Sequence, residues 1–342
     1  MAARSELVVR SSRARLPLFL PVYQKTFGSV AAHHWREYEI EGCIVNAFFL
    51  YKQRDLRRQF ADGLTVKDHI GFGGLVMTDS GAYQGFTRQL YLDNRKIVRF
   101  QEEIGADIVS PLDLVTPPGD SRTVATKKME ATLRRVREAE AALRDGTTLA
   151  AVQQGGRFLD LRRQSVEALV DAGVRYLALG SLVPFFARNH DLRFIRRVLE
   201  DARATAGPDV PIHIFGAGDP VELPFLVAWG ADVFDSSSYA HYARGGWYMT
   251  PYGALASADD VERHQYQCGC TACAAKPLAD LWADEDALRA HNLATVMGTI
   301  SRVRAAIDDG TLDHLLRTTL ERHMDWRGES MLRTAVEAAT GC

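Results

Sequence analysis

Eight strand-length apolar runs recur along this chain, and their number constrains the fold more than any other feature. They occupy residues 18–22, 44–49, 75–78, 107–110, 149–153, 176–180, 212–215 and 232–234. None approaches the ~20 consecutive apolar residues that a bilayer span requires. Between most of them lie amphipathic helical patterns. One runs from about Ser121 to Leu143, with Met129, Leu133, Val136 and Leu143 on one stripe and Arg and Glu elsewhere. Another follows Asp191, which can cap it, and turns Leu192, Ile195 and Leu199 inward. Further helices begin near Phe158 and Val221. Strand alternating with helix eight times predicts a (β/α)8 TIM barrel, with a doubly wound sheet as the competitor.

In a barrel, chemistry collects where strands end and βα loops begin. The third run ends in "TDSGAYQ", with Asp79 and Tyr83, and the fourth in "SPLDLVTPP", with Asp113. The fifth ends in "AVQQGG", with Gln154, and the sixth in "LALGSLVP", with Gly180 and Ser181. The seventh ends at Phe215, before "GAGDP". The eighth runs into "FDSSSYAHYAR", with Asp235 and Arg244. Taken singly, each aspartate could cap a helix or close a turn. On one rim, three carboxylates repel unless they share a cation, a proton or a cationic transition state. A divalent metal would use them as oxygen ligands, but the strand ends offer it no histidine. Alternatively, two carboxylates could serve as nucleophile and acid/base at an anomeric carbon. Tyr83 and Phe215 suit a flat heterocycle, and an aspartate beside Gln154 suits a guanine-like edge.

Three of the five cysteines form a C-x-C-x2-C cluster, Cys268, Cys270 and Cys273, followed by His291 in "LRAHNL". With one histidine, His291 or the nearer His264, they would make a closed tetrahedral zinc site, whose role is folding. An iron–sulfur centre would want a fourth cysteine, and downstream there is only Cys342. The chain from about Ala283 onward reads as helical. The expected division is a catalytic barrel over residues 1–258, then a zinc-binding subdomain and C-terminal helices packed on it over 259–342.

Forty-one basic against 43 acidic residues give a net charge of −2, so nucleic-acid contact would have to come from local clusters. Arg134, Arg135 and Arg137, and Arg193, Arg196 and Arg197, lie on barrel helices and read as solvated faces. Arg244 and the N-terminal Arg10, Arg13 and Arg15 are the expected phosphate contacts. No apolar signal core follows the basic N-terminus, so a cytoplasmic location and no membrane partner are expected.

These motifs, with "QGGRFLDLR" and "CGCTAC…HN", resemble the tRNA-guanine transglycosylases from about Leu16 to His291, most closely their archaeal, archaeosine-forming branch. The resemblance implies a zinc-containing TIM barrel that exchanges guanine in a polynucleotide for a free 7-deazaguanine such as 7-cyano-7-deazaguanine. It implies that Asp235 is the nucleophile of a covalent intermediate and Asp79 the general acid/base. Asp113 and Gln154 would read the base edge, with Tyr83 and Phe215 stacking on it. Gly180 and Ser181 would meet the 7-substituent. It selects His291 over His264 as the fourth zinc ligand. Here "GS" stands where the family has "GG", and Gln153 replaces an apolar residue. Acceptors in the family and its single-domain relatives include tRNA and DNA, and family members often form homodimers. Base exchange on a free nucleoside, a non-catalytic subunit and a metal-dependent barrel lyase are the rivals.

Overall fold

The computed structural model describes residues 5–10, 12–23, 34–82, 92–144, 146–187 and 190–337. An antiparallel hairpin of β1 (Glu6–Val9) and β2 (Ser12–Arg15) comes first. The barrel strands are β3 (Leu18–Tyr23), β4 (Gly42–Asn46), β5 (Leu75–Asp79), β6 (Ile108–Val109), β7 (Thr148–Leu149), β8 (Ala151–Gln153), β9 (Leu177–Leu179), β10 (Ile212–Phe215) and β11 (Val233–Ser236). All pair in parallel, and β11 pairs with β3 to join the last strand to the first. The segments β7 and β8 flank Ala150 and occupy one barrel position: β7 bonds β6, and β8 bonds β9. Nine segments therefore make the eight strands of a TIM barrel.

Alternation along each strand divides the core in two. Leu18, Leu20, Ile44, Leu75, Met77, Ile108, Val152, Ala178 and Val233 fill the interior. Their neighbours Phe19, Cys43, Val45, Val76, Val109, Leu177, Ile214 and Phe234 pack outward against the helices. The hairpin sends Leu7, Val9, Ala14 and Leu16 into the inner cluster, stoppering the barrel at the N-terminal ends of its strands. Its arginines are accordingly at the opposite end from the βα loops. Arg10 reaches Thr147 and Glu102, and Arg15 pairs with Asp308 at 2.8 Å, so these two expected phosphate contacts stand away from the Asp235 loop.

Two strands end more than one residue away from the sequence-based boundaries. The second strand stops at Asn46, because its side chain accepts the Phe49 N–H at 3.2 Å and starts the helix Ala47–Lys52. The eighth extends through Asp235 to Ser236, held by parallel pairing with β3 and β10. The caps Ser121 and Asp191 stand where expected.

After the barrel come the hairpin of β12 (Tyr248–Thr250) and β13 (Gly253–Leu255), short helices around the cysteines, and the helices Glu285–Asp308, Leu312–Arg327 and Met331–Glu337. Tyr248, Leu255, Val261, Leu281 and Leu288 form a separate small core beside the cysteines. Leu293, Val296, Ile300 and Val303 instead join the main core, so the long helix spans both. Arg193 and Arg196 donate to the carbonyls of Thr334, Ala335 and Val336, so these two dock the last helix and are not merely a solvated face. Among the described residues no helix is long and apolar enough to cross a membrane.

Candidate active site and metal centre

Asp79 ends β5 at the rim, and its carboxylate is held from two sides. Asn46 Nδ2 donates to Oδ2 at 2.8 Å, and the Gly81 N–H donates to Oδ1 at 3.2 Å. The amide of Asn46 has little freedom to flip, since its oxygen already caps the next helix. Burial is the main force on the Asp79 proton and pushes its pKa up to about 7, with the Asp113 and Asp235 charges adding to the rise and the Gly81 and Asn46 hydrogen bonds opposing it. Asp79 is a group poised to gain and lose a proton near neutrality.

That shift has a sign in stability. Below the ordinary value of 3.8 both folded and unfolded chains hold the proton; between 3.8 and about 7 only the unfolded chain releases it. Stability is therefore lost as pH rises through that window, by at most about 4 kcal/mol, and by less where water enters the cavity. In urea unfolding, Asp79→Asn should gain on the native chain between about pH 5 and pH 8. An equal difference at both pH values would show an unperturbed carboxyl.

Asp235, in β11 beside Phe215 of β10, keeps its side chain 14% exposed, enough to meet a substrate. Its Oδ1 receives the Gly216 N–H at 3.4 Å and lies 2.9 Å from His213 Nε2, an off-axis contact and not an aligned hydrogen bond. The other ring nitrogen, Nδ1, is 3.0 Å from the Tyr176 hydroxyl. Oδ2 has no hydrogen-bond partner among the described residues. Tyr176 and His213 are wholly buried, so one oxygen is anchored from within the barrel and the other is left for chemistry. Phe215 packs edge-on to the His213 ring at 4.7 Å. Sequence inspection missed His213 because it sits inside an apolar run; its signal was a lone histidine in a buried strand.

A second chain of hydrogen bonds links Asp113, Gln154 and Ser181. Gln154 Nε2 donates to Asp113 Oδ2 at 2.5 Å, and the Ser181 hydroxyl donates to Gln154 Oε1 at 2.8 Å. Burial raises the Asp113 pKa to about 6, with the Gln154 hydrogen bond and the Arg135 charge opposing. Arg135 also donates to the Leu112 carbonyl at 3.0 Å, a bracing role that its reading as a solvated face had missed. Ser181 adopts φ +58°, a left-handed conformation that costs a serine about 1 kcal/mol. In it the serine hydroxyl both donates to Gln154 and receives the Thr116 N–H at 2.8 Å. Behind this chain Arg162 is buried with no carboxylate partner among the described residues. It bonds the carbonyls of Gly156 and Gly180 and the side chain of Gln153, tying together the loops after the fifth and sixth strands. The unusual Gln153 is its partner.

Gly180 leaves no room for a side chain: a Cβ there would stand 2.6 Å from Gln154 Nε2. Gly180→Ala should therefore displace Gln154 from Asp113 and weaken binding of a free purine base at least tenfold, with the fold intact by circular dichroism. Unchanged affinity would show that Gln154 does not face the base.

Tyr83 lies outside the described residues. Arg244 ends the helix Ser238–Arg244 that follows Asp235, with its Nε 3.9 Å from Glu285 Oε1.

The cysteine cluster assembles as its spacing suggested. His291 Nδ1 lies 3.5, 3.5 and 3.3 Å from the sulfurs of Cys268, Cys270 and Cys273, and all four donor atoms fall within 4.8 Å of one another. Its Nε2 is 2.9 Å from the Met249 carbonyl, which accepts an N–H there and leaves Nδ1 as the donor to a metal. The Tyr248 ring stacks on the imidazole at 3.6 Å. His264 stacks on Trp326 instead and is no part of the cluster. Three thiolates and one imidazole can close a tetrahedral site.

The family described as queuine tRNA-ribosyltransferase matches residues 1–325. A protein of Methanopyrus kandleri is 34% identical over 329 residues, which cover 94% of this chain and 70% of that protein. Relatives from Pyrococcus abyssi and Methanosarcina mazei are 31% and 30% identical over 93% and 90% of this chain. This chain spans 54% and 62% of their respective lengths. All three carry the name tRNA-guanine(15) transglycosylase. With the motifs in place on a parallel barrel, the chain belongs to the queuine tRNA-ribosyltransferase family.

Proposed function

We propose that this protein exchanges guanine in a polynucleotide for a free 7-deazaguanine base, such as 7-cyano-7-deazaguanine, by double displacement on Asp235. The observation carrying this is the division of labour between two rim carboxylates. Asp235 has one anchored and one available oxygen, whereas Asp79 is buried and titrates near neutrality. Environments that separate two carboxylates in this way assign one as nucleophile and the other as acid/base.

In the first step Asp235 Oδ2 bonds to C1′ as the C1′–N9 bond breaks, and protonated Asp79 supports the departing guanine with its proton. In the second, Asp79 takes the N9 proton of the incoming base, N9 bonds to C1′, and the Asp235–C1′ ester bond breaks. One glycosidic bond replaces another, so no nucleotide hydrolysis is required. The same pocket holds leaving and entering bases in turn, which makes the kinetics ping-pong. Asp113 and Gln154 read the base edge once the base enters between them. Zinc at the cysteine cluster is structural. The names of the relatives favour tRNA as the acceptor.

The test is transfer of radiolabelled guanine or 7-cyano-7-deazaguanine into bulk tRNA, single-stranded DNA and duplex DNA, with Asp235→Ala as control. Label should enter tRNA and be absent with the variant. Zinc-loaded protein that labels no polymer would overturn the proposal.

A further inference from the structure

A cavity of about 660 Å³ opens on the outer wall of the barrel, between the helices Arg54–Ala61 and Asn94–Glu103. Arg57, Lys96, Arg99 and Arg144 line it, against a single acid, Glu103. Elsewhere this protein pairs its arginines readily, as in Arg163–Asp201 and Arg304–Glu41. Here Arg57, Lys96 and Arg99 have no ion pair among the described residues. Arg144 Nε lies 4.0 Å from Glu102 Oε2, with the arginine side chain 83% exposed. The Arg57 guanidinium is held over the Tyr51 ring at 4.7 Å, and its Nε is buried with no hydrogen-bond partner among the described residues.

Local stability does not account for these charges. Arg95 and Lys96 occupy the first turn of their helix, which contains no acidic residue. Cations there oppose the helix dipole. A solvated helix face would intersperse acids with its bases, whereas between the capping Asp93 and Glu102 this helix carries Arg95, Lys96 and Arg99 and no acid. Unneutralised like charges around a cavity are what a polyanion relieves, through release of its counterions. The wall runs down the outside of the barrel, where Arg144 and Arg10 both approach Glu102, and the chain connects it to the rim. The helix Ala47–Lys52 starts at Asn46, the residue bonded to Asp79, and leads through Lys52 and Arg54 to Arg57.

We infer that this basic wall binds the sugar-phosphate backbone of the polynucleotide acceptor along the side of the barrel, while one base occupies the pocket at the rim. The choice of ligand rests on the polynucleotide reading above; the charge cluster does not.

The test uses the full-length zinc-loaded chain and the triple variant R57Q/K96Q/R99Q. Fluorescence anisotropy gives the Kd for bulk tRNA and for a short single-stranded DNA over a series of salt concentrations. Neutralising three phosphate contacts should flatten the slope of log K against log salt by about 2–3 and weaken low-salt binding at least tenfold. Affinity for free guanine should be unchanged. If the triple variant does not fold, K96Q/R99Q should still flatten the slope, by about 1.4–1.8. A variant with native slope and affinity overturns the inference. So does native protein that binds neither polymer, or one in which inorganic pyrophosphate but no polymer occupies the wall. Label transfer separates the two proposals. Transfer by native protein, with an unchanged polymer KM in the variant, sinks the wall alone. Wall-dependent binding without any transfer sinks base exchange alone.

Discussion

Asp235→Asn is expected to lower base exchange by at least about 10⁴-fold, the range seen when a covalent nucleophile is removed. The amide is nearly the same shape, so it can keep the approach of His213 and the Gly216 N–H that hold Oδ1 in native protein. What it loses is the oxygen proposed to form the ester to C1′. Two readouts check this. Native protein mixed with acceptor and denatured mid-turnover should carry a covalent polynucleotide adduct, and the variant none. Free-base affinity should stay within about threefold, because the base contacts proposed here lie on Asp113 and Gln154. Exchange within tenfold of native would remove Asp235 from the nucleophile's role. His213→Ala would then be the variant to follow, since its imidazole faces the same carboxylate from the barrel interior.

Metal removal carries the second large effect, this time on stability. The small core around Tyr248, Leu255, Val261, Leu281 and Leu288 is separate from the main core. A cluster of that size does not hold a fold unaided, and a structural ion commonly supplies the difference. Without it, the Cys268, Cys270, Cys273 and His291 donors crowd together within 4.8 Å and unneutralised. The loss should reach the active site. Asn292, next to His291, bonds the Met249 N–H and the carbonyls of Tyr239 and Trp247. Those bonds join the cysteine segment to the helix that follows Asp235. Chelation, or Cys273→Ser, should therefore cost several kcal/mol and lower Tm, with a change in near-ultraviolet dichroism from Trp282 and Trp326. Far-ultraviolet barrel signals should survive, and added zinc should restore the chelated protein. Protein shown by metal analysis to be zinc-free, yet with an unchanged Tm, would sink the structural role.

Much of this was legible from one dimension. Apolar runs at strand length, with helical stripes between them, specify a barrel because periodicity follows local backbone geometry. The C-x-C-x2-C spacing named three donors of the candidate metal site, since ligand type and spacing are written in the chain, and the family resemblance chose His291 over His264. Asp79, Asp113 and Asp235 stood out as strand-end carboxylates for the same reason. The N-terminal hairpin escaped notice because its strands are only four residues each and its basic residues resembled a tail. Its burial inside the barrel is a fact of packing alone.

Sequence by itself therefore determined the order of the elements, the cysteine donors of the candidate metal centre and which carboxylates reach the rim. Tertiary structure decided what each of those groups is chemically. Asn46 next to Asp79, His213 next to Asp235, Arg162 behind Gly180 and the basic wall around Arg57 have no common motif. Protonation and reach depend on burial and on partners brought together through space, and those distances exist only once the barrel has closed.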